Sequence, residues 1–323
     1  MIYREAPRIG VPLSLFSMGG HEYLADGRSR GFNEDMDKAT RRKGYLFEGF
    51  GGDRRLEVLR IAYEARINCF DVTQDSEKEA LGRNLKDLPP PYEIYIQTRP
   101  EGMCYSYDEF NRGLADYARL KPEVQRCLKL LQRDHIDFLN FGILRPAIDH
   151  DADYLEKLKA NIARLKQEGL IRWAAADTFS GEYTFLRMIE SGAFDAVNLN
   201  FNFGDWGARR KVIPAAHAAG MGVFLREAFF KGSLFRMSAE AGIEDHHALA
   251  AAALRWCLSH PEATSVTIGT GNPGHLAANL ATVNTPDLTD QDREIIERVK
   301  AHSPMFREFE ANRTREYFET DRK

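Results

Sequence analysis

Short apolar runs alternate along this chain with longer segments of helical periodicity. The runs are LSLFSM (13–18), INCFDV (67–72), EIYIQTR (93–99), FLNFGIL (138–144), IRWAAAD (171–177), AVNLNFN (196–202), GVFLREAFF (222–230) and SVTIGTG (265–271). Between them, residues 53–65 place apolar and charged positions at helical spacing, and residues 77–85 read as a helix entered through a polar turn. Residues 121–133 predict a helix with Leu128, Leu130 and Leu131 inward, and residues 154–168 an amphipathic helix stopped by Gly169. The recurring unit is strand, loop, helix.

The run at 67–72 carries Asp71 at its end, just before the polar turn. Where parallel strands close into a barrel, the loops after the strands form the active-site face, so a strand-end acid is a functional candidate. The alternative is an acid that only caps or pairs locally.

Several segments, in order and at the right spacing, resemble the aldo-keto reductase family over most of the chain. IYREAPRIGVPLSLFSMGG resembles its N-terminal hairpin and first strand, INCFDVT its second, and GLIRWAAAD, AVNLNFN, GVFLREAFFKG and SVTIGTGNPGHLAANL its fifth to eighth. The resemblance implies an α/β fold, a single (β/α)8 TIM barrel over 1–323. It would have an N-terminal β-hairpin, a long lid-like loop at about 19–52, and a C-terminal helical extension from about 285.

The family's chemistry uses an Asp, a Tyr, a Lys and a His, and here only the acid stands, as Asp71. Val72, Thr73, Gln74, Asp75 and Ser76 follow it, where the pattern DTAxxYGxSE would bring the Tyr; Arg99 ends the third strand in place of Lys, and Gly142 the fourth in place of His. In the family's reaction a hydride passes from the nicotinamide to a carbonyl carbon while Tyr protonates the oxygen. Arg99 cannot replace that acid, because a guanidinium stays charged, but its rigid fork of donors can anchor a carboxylate, phosphate or enolate oxygen. Asp71 and Arg99 are expected to form an ion pair, which by itself says little about function.

A substitute proton donor is expected from the long loops. After the first strand, residues 19–52 far exceed an ordinary βα loop, and offer His21, Tyr23, Asp26 and Arg28. After Arg99, a second long loop offers Tyr105 and Tyr107. With glycine at 142, the space of the missing imidazole stands open to substrate, water or a loop side chain, and Arg145 lies near enough in sequence to be a second anion contact.

The resemblance also marks a cofactor set. Asp177 and Thr178 stand where the family has the Ser-Asn pair on the nicotinamide carboxamide, Asn198 where it has a Gln, and Phe201 at an aromatic position. Arg226, Glu227, Ala228 and Phe229 align with the pyrophosphate segment. Gly269, Thr270, Gly271 and Asn272 lead into a helix whose first amides suit a phosphate, with His275 and Asn279 on it. Gly269 and His275 replace the basic residues of NADPH-preferring members, so NAD(P)H is the expected cofactor with the NADPH preference weakened.

Composition narrows the rest. A net charge of −4 with interspersed signs offers no basic face for nucleic acid and no polybasic membrane anchor. No apolar run reaches the ~20 residues of a membrane span, and the N-terminus lacks a signal pattern. Four scattered cysteines read as reduced thiols of a cytoplasmic protein, and neither they nor the adjacent His246 and His247 give a metal motif. The tail carries a helix at 291–300 and then Phe306, Phe309, Tyr317 and Phe318, which either fold over the substrate or make a homo-oligomer contact. Three functions remain: an NAD(P)-dependent oxidoreductase on a small carbonyl or sugar-like substrate, neutral or anionic, with a relocated proton donor; a lyase, dehydratase or epimerase using Asp71 and Arg99; or a noncatalytic ligand-binding or regulatory homologue.

Overall fold

The computed structural model describes residues 1–22, 46 and 48–319. Tyr23, Asp26 and Arg28 lie outside the described residues. Two short strands, β1 (Tyr3–Arg4) and β2 (Leu13–Ser14), pair antiparallel. Eight further strands, all parallel to their neighbours, close into a barrel: β3 (Phe16–Gly19), β4 (Cys69–Asp71), β5 (Tyr95–Thr98), β6 (Ile136–Gly142), β7 (Ile171–Asp177), β8 (Ala196–Asn200), β9 (Gly222–Arg226) and β10 (Ser265–Ile268). Helices surround it, among them α1 (Asp53–Glu64), α2 (Asp75–Asp87), α3 (Tyr117–Leu131) and α4 (Tyr154–Gln167). The (β/α)8 barrel with its N-terminal hairpin is the expected fold.

Two helix starts differ from the sequence pattern, each for a capping reason. α2 begins at Asp75 rather than 77, because the Glu77 carboxylate reaches back to the Gln74 N–H at 3.2 Å. α3 begins at Tyr117 rather than 121: Asp116 accepts the Ala118 N–H at 2.9 Å and caps a turn that precedes Pro122.

Strand alternation stacks the barrel interior in layers. At the bottom, Cys69, Tyr95, Phe138, Ala175, Ala196 and Phe224 form an apolar cluster with Ala6, Ile9 and Leu13. The hairpin seals this end. Its Ile9 fills the place beside Gly222 where a Cβ would come within 2.4 Å of the isoleucine, so glycine is what admits the plug. Two residues further along each strand the same side becomes polar, with Asp71, Gln97, Asn140, Asp177, Asn198 and Arg226.

The C-terminal segment forms α10 (Asp290–His302) and α11 (Pro304–Glu319), numbering α5 (Gly181–Glu190), α6 (Val212–Ala218), α7 (Leu234–Glu240), α8 (His246–Leu258) and α9 (Pro273–Ala281) between. α11 packs on the segments that follow β8 and β9. Phe306 is buried with Phe203 at 5.5 Å and Phe230 at 6.2 Å, Phe309 lies 4.9 Å from Phe230, and the Tyr317 ring rests on Gly207. These aromatics close the tail onto the barrel rim.

Candidate active site

β4 delivers Asp71 to the barrel mouth, and α2 begins four residues later. The tight turn brings Glu77 under the end of β3, where Gly20 leaves room for it: a Cβ there would stand 3.2 Å from Glu77 Oε2 and 2.7 Å from Val72. The next residue, His21, places Nδ1 2.5 Å from Glu77 Oε1. The other Glu77 oxygen accepts the Thr73 N–H at 2.7 Å, the Thr73 hydroxyl at 3.1 Å and the Gln74 N–H. Burial would raise the Glu77 pKa, but His21 and these donors outweigh it and hold the acid at about 2. Burial likewise opposes a charged His21, yet the Glu77 charge and hydrogen bond, helped by Asp71, raise its pKa above the ordinary value. His21 is thus a carboxylate-held imidazole beside Asp71.

Asp71 itself is dominated by burial, which pushes its pKa up to about 6 against the pull of Arg226 and His21. Its Oδ1 is buried without a hydrogen-bond partner among the described residues.

Opposite stands a second, tighter group. Arg226 donates to both oxygens of Asp177, at 2.6 and 2.7 Å, and its Nε donates to Asn200 Oδ1 at 2.6 Å. The Tyr105 hydroxyl donates to Asp177 Oδ2 at 2.5 Å. Tyr105 reaches it from the loop after β5 with a left-handed backbone, φ 53°. Its ring occupies the space beside Gly142, where a Cβ would lie 2.7 Å from Tyr105 Cε1 and 2.9 Å from Cys104 Cβ. The space expected to be open is therefore filled by a loop side chain, and glycine at 142 is the condition for it. Burial and the neighbouring Asp177 carboxylate drive the phenol pKa far up, so Tyr105 is a fixed donor rather than a titrating acid.

Arg99 follows β5 and is buried, with 7% exposure. Its guanidinium lies over the Tyr105 ring at 5.2 Å. The expected ion pair with Asp71 does not form among the described residues. Strand register is the reason: Asp71 aligns with Gln97, so Arg99 sits two residues further along, about 6–7 Å beyond that level. Tyr107 is half-buried nearby. Arg145 is engaged with Asp149 at 3.0 Å and lies over Tyr183 at 4.7 Å, so its charge is already partnered.

The cofactor candidates divide. Asn198 is 1% exposed with neither side-chain atom hydrogen-bonded among the described residues, which suits an amide ligand. Thr178 accepts the Ser180 N–H at 2.9 Å. Phe201 is a correction: it is fully buried against Trp256 and His260, each 4.9 Å away, and belongs to the packing between barrel and helix. The residues after β9 form a bent rim in which Glu227 has φ 66° and pairs with Lys231, Ala228 is buried, and Phe229 packs on Phe235. At the start of α9, the Asn272 side chain already accepts the Gly274 and His275 N–H groups, at 2.9 and 3.3 Å. Those two amides are consumed by the cap, and Gly269, Thr270 and Gly271 form the turn before it. His275 is exposed and Asn279 buried on the same helix.

A model of the aldo/keto reductase family matches residues 48–248. The chain belongs to the aldo/keto reductase family. It is 23% identical over 288 residues to L-galactose dehydrogenase of Arabidopsis thaliana, covering 80% of this chain and 86% of that one. The fold also matches an aldo-keto reductase, AKR11C1 of Bacillus halodurans, in its holo form. That match has a TM-score of 0.66 and 18% identity, over 93% of this chain and 96% of that one.

Two contributors to the mouth carry little or no signal as site residues in the sequence. For Glu77 the signal is Ser76-Glu77, which stands where the family pattern ends in SE. Phe179 follows Thr178 and is 46% exposed, its ring 4.5 Å from Tyr105 and under the Arg226 guanidinium at 5.6 Å. Nothing in its local sequence marks it as a wall of the mouth.

Proposed function

We propose that this aldo/keto reductase is an NAD(P)-dependent oxidoreductase of small carbonyl or sugar-like substrates in which His21, held by Glu77, replaces the missing tyrosine as proton donor. The observation that carries the reading is the His21–Glu77 contact of 2.5 Å beside Asp71. A hydrogen-bonded carboxylate fixes the imidazole orientation and raises its pKa, favouring the protonated form that a general acid requires.

The residues at the mouth fit a nicotinamide amide. Among the described residues Asn198 offers an unpaired donor and acceptor, and the Asp177 carboxylate, with three hydrogen bonds received, retains one acceptor position. When bound, the nicotinamide supplies or accepts the hydride at the carbonyl carbon. His21 gives its proton to the carbonyl oxygen during reduction and recovers one from the alcohol during oxidation. Arg99 steadies negative charge developing on that oxygen, since it stays cationic throughout. Tyr105 and Phe179 wall off the mouth.

The test is calorimetric titration with NADH and NADPH, followed by turnover of aldehydes, ketones and sugars. NADH is expected to bind at least as well as NADPH, because neither Gly269 nor His275 offers a permanent cation. His21→Gln is expected to lower kcat by about 10²–10⁴ with nucleotide affinity unchanged. Absence of binding by either nucleotide at millimolar concentration would favour the non-reductive reading, in which Asp71, titrating near 6, is the base.

A further inference from the structure

Arg99 is a buried cation of this mouth that donates no side-chain hydrogen bond and contacts no counterion among the described residues. Nearby, Arg226 is matched by Asp177 and His21 by Glu77, while Arg55 donates to the Gly19 carbonyl at 3.0 Å beneath the end of β3. Around Arg99, the described acids that face it are Asp71 and Glu101, and neither comes within 4 Å. Glu101 leans instead to Lys78, 3.7 Å away, and Lys78 is shared with Asp75, which Arg126 also holds. What Arg99 does touch is the Tyr105 ring, and ring contact fixes the plane of the guanidinium without using its N–H fork.

A buried guanidinium left without a carboxylate is costly, and such groups are retained where an anion completes them. The planar fork suits two coplanar oxygens, as in a carboxylate, or a carboxylate oxygen and the carbonyl or hydroxyl oxygen on the adjacent carbon. Arg99 lies close enough to His21 and Asp71 to act electrostatically on both, so a carboxylate seated on it would be held on the same rim as the proton donor.

We infer that Arg99 is a substrate carboxylate anchor, and that the substrate of this enzyme is a 2-oxo or 2-hydroxy acid, or a sugar acid of that pattern, rather than a neutral carbonyl compound. The inference rests on the oxidoreductase reading for the identity of the reacting carbon, but the anchor itself is testable without turnover. A neutral aldehyde or sugar would leave Arg99 uncompensated in the complex. An acid neutralises it.

The experiment measures binding of oxalate, and of the neutral oxamide as control, to wild type, Arg99→Leu and Arg99→Lys, by calorimetry with and without saturating NAD⁺. Oxalate is expected to bind wild type in at least one of the two states and to weaken with added salt. The affinity should fall at least about tenfold in Arg99→Leu and by less in Arg99→Lys, which keeps the charge and loses the fork. Oxamide should bind weakly to all three. Because Arg99→Leu removes an uncompensated buried charge, it is expected to melt at or above the wild-type temperature without oxalate, and to lose the oxalate-induced rise. Oxalate affinity that is equal in wild type and Arg99→Leu, or absent in both cofactor states, overturns the proposal. Should Arg99→Leu not fold, the oxalate-to-oxamide ratio and the Arg99→Lys affinity decide it. Failure of NADH and NADPH to bind is a separate result, which removes the redox reading and leaves the anchor standing or falling on oxalate.

Discussion

The two ends of the barrel are built from the same strands and opposite chemistry. At the bottom, Phe138 stacks on Trp173 at 4.8 Å and meets Phe224 edge-on at 5.0 Å, beneath a hairpin plug. Among the described residues of that layer no side-chain polar atom is left buried and unpaired. Two residues on, Gln97 and Asn198 have both amide atoms unpaired among the described residues, and Asn140 Oδ1 and Asp71 Oδ1 join them. Buried polar groups without partners cost stability. Their concentration at one level says where the fold gives up stability to face a ligand.

The bottom is where the largest loss of stability is expected. Phe138→Ala empties a fully buried ring position between Trp173 and Phe224, and should cost about 3–5 kcal/mol. Urea unfolding should show that loss equally at pH 5 and pH 8, because nothing that titrates is removed. A cost under about 1 kcal/mol would mean that the plugged end is not the stabilising one.

At the mouth the sign reverses. Asp71 has its pKa raised from 3.8 to about 6, so the folded protein binds that proton more tightly than the unfolded chain. The resulting stability is complete below the unfolded pKa and is lost as pH rises through about 6, leaving the ionised acid as a burden at pH 8. Asp71→Asn removes the ionisation, and should stabilise the protein at pH 8 by about 1–2 kcal/mol after allowance for partial exposure. At pH 4 the variant and wild type should unfold together. Equal stability at both pH values would show that the acid is solvated as well when folded as when unfolded.

The contrast between the ends also explains what was legible in the sequence. The barrel was readable because strand runs and helix periodicities recur in order, and those signals are local. Asp71, Arg99, Tyr105 and His21 were legible as candidates for the same reason, being strand ends or the loops just after them. Which of them meet was not, since that depends on register between strands. The Asp71–Arg99 pairing failed on a two-residue offset along β5. Phe201 failed on parity: Asn198 and Asn200 face the barrel interior with Asp177 and Arg226, so the residue after them faces the helices. The Asp177–Arg226 pair joins strands two apart around the barrel, and no sequence separation announces it.

The smallest expected effect sharpens the division within the mouth itself. Tyr105 and His21 were both candidates for the proton donor, and the geometry separates them: one phenol is spent on Asp177, while one imidazole is held by Glu77, which raises its pKa. Tyr105→Phe keeps the ring that fills the space beside Gly142 and supports Arg99, and removes the hydroxyl alone. Asp177 retains both Arg226 bonds, so the loss should be about 1 kcal/mol in unfolding free energy. Turnover should stay within about threefold of wild type, against the 10²–10⁴ expected on removing a general acid. A Tyr105→Phe enzyme that folds normally and loses activity on the larger scale would transfer the proton to the phenol and leave His21 with a structural role. Their pH profiles separate the two outcomes. A His21 donor makes reduction fall as pH rises through its raised pKa, whereas a phenol whose pKa is driven far up leaves the rate flat across the same range.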